Sequence, residues 1–178
     1  MIAVFLANGY EEIEALAVVD VLRRAGLDVQ MIGVGSDAPV GAHGISVAVD
    51  ANETDIDASA LDAVVLPGGM PGTLNLEKSV VVQGAVSSAM ERGAVVAAIC
   101  AAPSILDHAG YLAGKQYTCY PGFESASDGV KVDAPVVTDG NLTTACGPGA
   151  ALPFALELVR VLVSPEKSNE LAGGMQCQ

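Results

Sequence analysis

The residues best suited to chemistry lie in the run Val95-Val96-Ala97-Ala98-Ile99-Cys100-Ala101-Ala102-Pro103. An apolar strand runs into Cys100, and a helix is predicted to begin at once, over Ala101 to His108. Only small residues, Ala101 and Ala102, follow the cysteine directly. A nucleophile elbow needs that arrangement, because a sharp strand-to-helix turn exposes one side chain and leaves no room for bulky neighbours. Amides after the turn point at the sulfur and the helix dipole favours thiolate, so a pKa below the free value of ~8.5 is expected. The competing reading is an inert small hydrophobe at a strand end.

Two further segments belong with it. Pro67-Gly68-Gly69 ends another apolar run. Two glycines let backbone amides approach a ligand closely, as an oxyanion site requires, although a plain turn reads the same way. Neither GxGxxG nor a P-loop lysine is present, so phosphate binding is not indicated. Glu11, Glu12 and Glu14 open a predicted helix from Glu11 to Ala25. Glu11 and Glu12 read as solvated partners of the helix dipole. Glu14 sits between apolar Ile13 and Ala15, on a different face from Glu12. It is expected to turn toward the elbow, where burial would raise its pKa and make it a proton donor. His108 follows Cys100 by eight positions, about 12 Å along a helix, so it reads as a surface or cap residue and not as a base. No partner for His43, in a Gly-rich excursion, is legible from spacing.

The elements that must hold these residues alternate. Strands are predicted at Ile2 to Ala7, Leu27 to Val34, Ala63 to Leu66 and Ala94 to Ile99. Helices are predicted over Glu11 to Ala25, Val80 to Arg92 and Ala150 to Val163, and a hairpin turns at Asp139-Gly140. Strands without polar alternation, separated by helices, give an α/β fold: a flavodoxin-like, doubly wound, mainly parallel sheet. Its ligand site lies beyond the carboxyl ends of the strands, where Asn8–Glu14, Pro67–Thr73 and Cys100–Pro103 fall. Residues 1–163 read as one domain and 164–178 as a flexible polar tail.

Composition narrows the function. With 178 residues and 51% hydrophobic content, the chain suits a single packed domain. Eight Lys and Arg against 21 Asp and Glu give a net charge of −13, which repels nucleic acid and anionic lipid. The N-terminus lacks a basic region, and the longest apolar stretch is far short of the ~20 residues that span a bilayer. Cys100, Cys119, Cys146 and Cys177 are spaced by 19, 27 and 31, which matches no zinc pattern and no disulfide scaffold. A reduced cytoplasmic protein without metal or cofactor is expected. The first helix carries more apolar surface than one sheet face covers, so a homodimer burying Val18, Val19 and Leu22 is expected too.

The segments NGYEEIEA with VVDVLRRAG, VVLPGGMPGTLNL, AAICAAP and GPGAALPFALELV occur in that order over residues 1–163. Together they resemble the ThiJ/PfpI superfamily, and within it the branch of the parkinsonism-associated deglycase. The resemblance implies that Cys100 is the oxidation-prone nucleophile and Glu14 the protonated acid on its sulfur. It further implies Gly68 and Gly69 as oxyanion amides, beside Ala101, and a homodimer with the first helix at its interface. The Arg24 and Pro148 positions of a second subunit would border the pocket. Three positions depart from the family. Tyr120, after Cys119, stands where many relatives place a histidine. His43 and Cys146 stand where arginines are usual. These changes remove a proton shuttle and positive charge, and Tyr120 with a pKa of ~10 is a poor base.

The leading function is an enzyme on small reactive carbonyls, of the glyoxalase or deglycase kind. The first alternative is a redox-sensing or chaperone-like stress protein that works through Cys100 oxidation. The second is an amidase or peptidase, which Ala101 argues against, because those branches usually place histidine after the cysteine.

Overall fold

The apolar runs pair into a seven-stranded sheet in the computed structural model, which describes residues 1–177. Its strands are β1 (Ile2–Ala7), β2 (Val29–Val34), β3 (Ala51–Asn52), β4 (Ala63–Leu66), β5 (Val95–Ile99), β8 (Val136–Asp139) and β9 (Leu142–Ala145). The order across the sheet is β3-β2-β1-β4-β5-β9-β8. Only the β8–β9 pairing is antiparallel, as the Asp-Gly hairpin predicts. A separate two-stranded pair joins β6 (Gln116–Tyr117) to β7 (Val130–Lys131). The helices are α1 (Glu12–Arg24), α2 (Gly72–Lys78), α3 (Val80–Arg92), α4 (Pro103–His108), α5 (Ala151–Leu162) and α6 (Pro165–Gly174).

Strand residues alternate between two cores because successive side chains point to opposite faces. Val4, Leu6, Val65, Ala97 and Ile99 pack with Val18 and Leu22 of α1 and Phe154 and Leu158 of α5. Phe5, Val64, Leu66, Val96 and Ala98 pack with Val82 and Val86 of α3 and Leu106 of α4. Helices therefore cover both faces, and each strand reads as an unbroken apolar run. The chain builds β2 and β3 on one side of β1, then crosses to β4 and β5 on the other. The crevice for a ligand lies where that order reverses. Asn8–Glu14, Pro67–Thr73 and Cys100–Pro103 follow β1, β4 and β5 there.

Several expectations are corrected. The segment expected to be a flexible tail forms α6, with Ser164 capping it by accepting from the Lys167 amide at 3.2 Å. Buried Ser168 donates to the Leu156 carbonyl at 2.8 Å, and Leu171 and Met175 pack against the α1/α5 core. Those two apolar residues are four apart, so one helix turn aligns them; the polar composition around them hides the stripe. Val18, Val19 and Leu22 are already buried within the chain, so they are not left for a partner. The helix after Cys100 begins at Pro103 rather than Ala101, and α2 forms where the sequence predicts no helix. Among the described residues no helix is long and apolar enough to cross a membrane.

Candidate active site

Cys100 has φ 64°, a conformation that side-chain-bearing residues seldom adopt. Such backbone strain, on the order of 1–3 kcal/mol, persists only where the surroundings hold it. Here the Cys100 amide donates to the Ala145 carbonyl at 2.9 Å, and the Cys100 carbonyl accepts from the Tyr120 amide at 2.9 Å. The predicted elbow is therefore present. Its sulfur receives the amides of Ala101 and Gly69.

Glu14 lies in the first turn of α1 and is wholly buried. Its Oε2 accepts from the Gly68 amide at 2.8 Å, and its Oε1 has no nitrogen or oxygen partner. The side chain it meets is Cys100. Glycine at position 68 is required for this approach, since a Cβ there would stand 2.7 Å from Cys100 Cβ and 2.8 Å from Glu14 Oε2. The expected oxyanion pair is thereby altered: the Gly68 amide is committed to Glu14, and the amides that face the sulfur are those of Gly69 and Ala101.

Burial, reinforced by the Glu11 charge, pushes the Glu14 carboxyl up to about 7, although its bonds to Cys100 and Gly68 pull the other way. Beside an ionised Glu14 the Cys100 thiol is pushed up to about 12, by burial first and by the carboxylate second. The elbow alone therefore does not acidify the thiol as expected. The physical reason is that one proton serves two adjacent acids. When Glu14 holds it, carboxylate repulsion disappears and the Ala101 and Gly69 amides favour thiolate.

The surroundings sort the other predicted residues. Half-exposed Tyr120 lies against Gly147 and lines a cavity of about 460 Å³ with Cys119, Pro121, Cys146 and Pro148. Pro148 also lines a second cavity of about 380 Å³, with Glu11, Glu12, Ile13, His43 and Ile45. His43 Nδ1 lies 2.8 Å from Glu12 Oε2, so its ring is committed to that carboxylate. Arg24 is exposed at the far end of α1, where it pairs with Asp20 at 2.7 Å. It does not reach this chain's own site. His108 is an exposed partner of Glu77, the surface role expected of it.

Among the described residues the cysteines are free. The Ile99–Ala145 register makes Cys146 the next position alongside Cys100, and both pack against the α1/α5 core. Buried Cys119 packs in the opposite core, where burial pushes its thiol up to about 11 and its charged neighbours are Lys131, Glu124 and Asp107. Glu11 and Glu12, read as solvated, are both buried. The Glu11 side chain caps α1 by accepting from the Glu14 amide at 2.8 Å, and Glu12 accepts from the His43 amide at 2.7 Å. Acids at a helix start carry no mark of burial when the segment covering them is 31 residues away.

The DJ-1/PfpI family model matches residues 1–161. Protein dj-1beta of Drosophila melanogaster is 38% identical over 176 residues, covering 97% of this chain and 94% of that protein. Its crystal structure superposes with a TM-score of 0.94, at 37% identity, over 99% of this chain and 97% of that one. The glutathione-independent glyoxalase DJR-1.2 of Caenorhabditis elegans is 32% identical over 163 residues, 90% of this chain and 87% of that protein. Toxoplasma gondii DJ-1, in an oxidized form, has a TM-score of 0.93 at 30% identity, over 98% of this chain and 97% of that one. The match runs through the sheet, the elbow and the first helix alike, and the chain belongs to the DJ-1/PfpI family.

Proposed function

We propose that this protein converts small 2-oxoaldehydes such as methylglyoxal to 2-hydroxy acids, with Cys100 as nucleophile. The observation that carries the reading is the buried Glu14 carboxyl, raised to about 7, on the sulfur of a strained elbow cysteine. The pair holds a proton that moves between carboxyl and sulfur near neutral pH. Cys100 thiolate adds to the aldehyde carbon, forming a C–S bond, and the new oxyanion takes its proton from Glu14. The amides of Gly69 and Ala101 stabilise charge on that oxygen. Glu14 carboxylate then removes the proton on the former aldehyde carbon and returns it to the adjacent carbonyl carbon, while the hydroxyl proton passes to the adjacent oxygen, leaving an α-hydroxy thioester. One carbon is oxidised and its neighbour reduced, so no external oxidant or reductant is needed. Water hydrolyses the resulting thioester, releasing the hydroxy acid and the thiol. With an early glycation adduct, a hemiaminal, the C–S bond would form as the C–N bond breaks, the amine leaving with a proton from Glu14, and the later steps would be the same. The glyoxalase name of the worm relative supports this chemistry. The test is lactate release from methylglyoxal by wild type and Cys100→Ser.

A second reading, a redox sensor, rests on the same carboxyl, which when protonated donates to a Cys100 sulfinate. The oxidized Toxoplasma relative favours it. Sulfinate accumulation at Cys100 under mild peroxide, in a protein that releases no lactate, would select it.

The assembly proposed is a homodimer through the α1 face. Ile13, Ile45 and Leu152 are exposed, at 58%, 53% and 42%. They replace Val18, Val19 and Leu22 as the apolar residues available to a partner. Light scattering at micromolar concentration should give twice the chain mass; the mass of one chain would contradict the dimer.

A further inference from the structure

Glu11, Glu12 and His43 bring their ligand atoms within 4.8 Å of one another, at the floor of the cavity of about 380 Å³ that Ile13, Ile45 and Pro148 complete. We propose that these three residues bind one divalent transition-metal cation of the zinc class, outside the thiol chemistry of Cys100. The donor set suits such an ion: imidazole and carboxylate together bind zinc and its neighbours, whereas magnesium and calcium take oxygen alone.

The two distances from the imidazole bracket the one required. A tetrahedral ion at 2.0–2.1 Å from each ligand needs donor atoms about 3.3 Å apart. His43 Nδ1 stands 2.8 Å from Glu12 Oε2 and 3.9 Å from Glu11 Oε1, one shorter and one longer than that. Three protein ligands leave one position toward the cavity, which water or a small anion can fill.

The carboxylates are also built into place rather than free at a surface. Glu11 and Glu12 side chains are only 9% and 6% exposed. Glu12 Oε1 accepts from the His43 amide at 2.7 Å and from the Ile45 amide at 3.4 Å, which leaves Oε2 for the ion. The loop closes over this side chain so tightly that a Cβ at Gly41 would stand 2.3 Å from Glu12 Oε1. Glu11 Oε2 is taken by the Glu14 amide. Glu11 Oε1 accepts no hydrogen bond among the described residues, and the imidazole is the cationic group it faces. Two buried carboxylates thus share one imidazole, so the cluster keeps a negative charge even with His43 protonated. A divalent ion would displace the proton from Nδ1 and neutralise both carboxylates. The expectation of no metal came from cysteine spacing, which is blind to a site made from one helix start and a loop 31 residues on.

Zinc titration by calorimetry, on chelator-stripped protein with reduced thiols, tests the site. One Zn²⁺ per chain is expected, weakened on the order of tenfold or more by His43→Gln and by Glu12→Gln, and unchanged by Cys100→Ser. His43 is exposed, so its variant should fold even if Glu12→Gln does not, and circular dichroism checks this. Bound Co²⁺ should give ligand-field bands without thiolate charge transfer. No saturable binding, binding that survives His43→Gln, or a thiolate charge-transfer band would each overturn the site.

Discussion

Cys100→Ser should release lactate from methylglyoxal at no more than on the order of a thousandth of the wild-type rate. The serine fits the elbow without change of shape, so the loss reports chemistry and not folding. Its hydroxyl needs a strong base to become a nucleophile, and none stands beside it. His43 is bonded to Glu12 and His108 to Glu77, while Tyr120 is half-exposed. Glu14, at about 7, can take the proton of a thiol but is far too weak for an alcohol. A coupled lactate assay with a circular dichroism control measures this. A loss below tenfold would remove Cys100 from the reaction.

Glu14 should also make stability fall as pH rises. Its folded pKa is raised from 4.5 to about 7, so the folded state binds the proton more tightly than the unfolded chain does. The stabilisation is complete below 4.5 and is lost as pH rises through about 7. At about 1.4 kcal/mol per tenfold in proton activity, the full change is about 3 kcal/mol. Urea unfolding of wild type should therefore show a decline of that order between pH 5 and pH 8, relative to Glu14→Gln, which cannot titrate. Parallel pH profiles for the two proteins would place Glu14 in water in the folded state.

Much of this arrangement is legible in the residues. Apolar runs without alternation imply strands covered on both faces, and β1, β4 and β5 are such strands. Small residues after Cys100 imply an elbow, and its φ of 64° bears that out. Glu14 differs from Glu11 and Glu12 by its apolar neighbours, and it is the one that meets the sulfur. What stays hidden depends on contacts distant in sequence. No local pattern tells that the Gly68 amide bonds Glu14, leaving Gly69 and Ala101 to the sulfur. Nor does spacing show that His43 closes over Glu12, or that Leu171 and Met175 dock α6. The resemblance supplied roles for Cys100 and Glu14, but the thiol's acidity depends on where one proton resides. An elbow read in isolation cannot reveal that.

On the proposed reading, Cys100 and Glu14 share the one proton that the pair keeps above about pH 7, and the thiolate is present whenever that proton sits on the carboxyl. The rate of Cys100 alkylation against pH, followed by mass spectrometry, tests it most directly. A wild-type step below the free thiol's ~8.5 is expected, and a step displaced from it in Glu14→Ala. A wild-type midpoint at or above ~8.5, or a Glu14→Ala profile that overlays wild type, would contradict it.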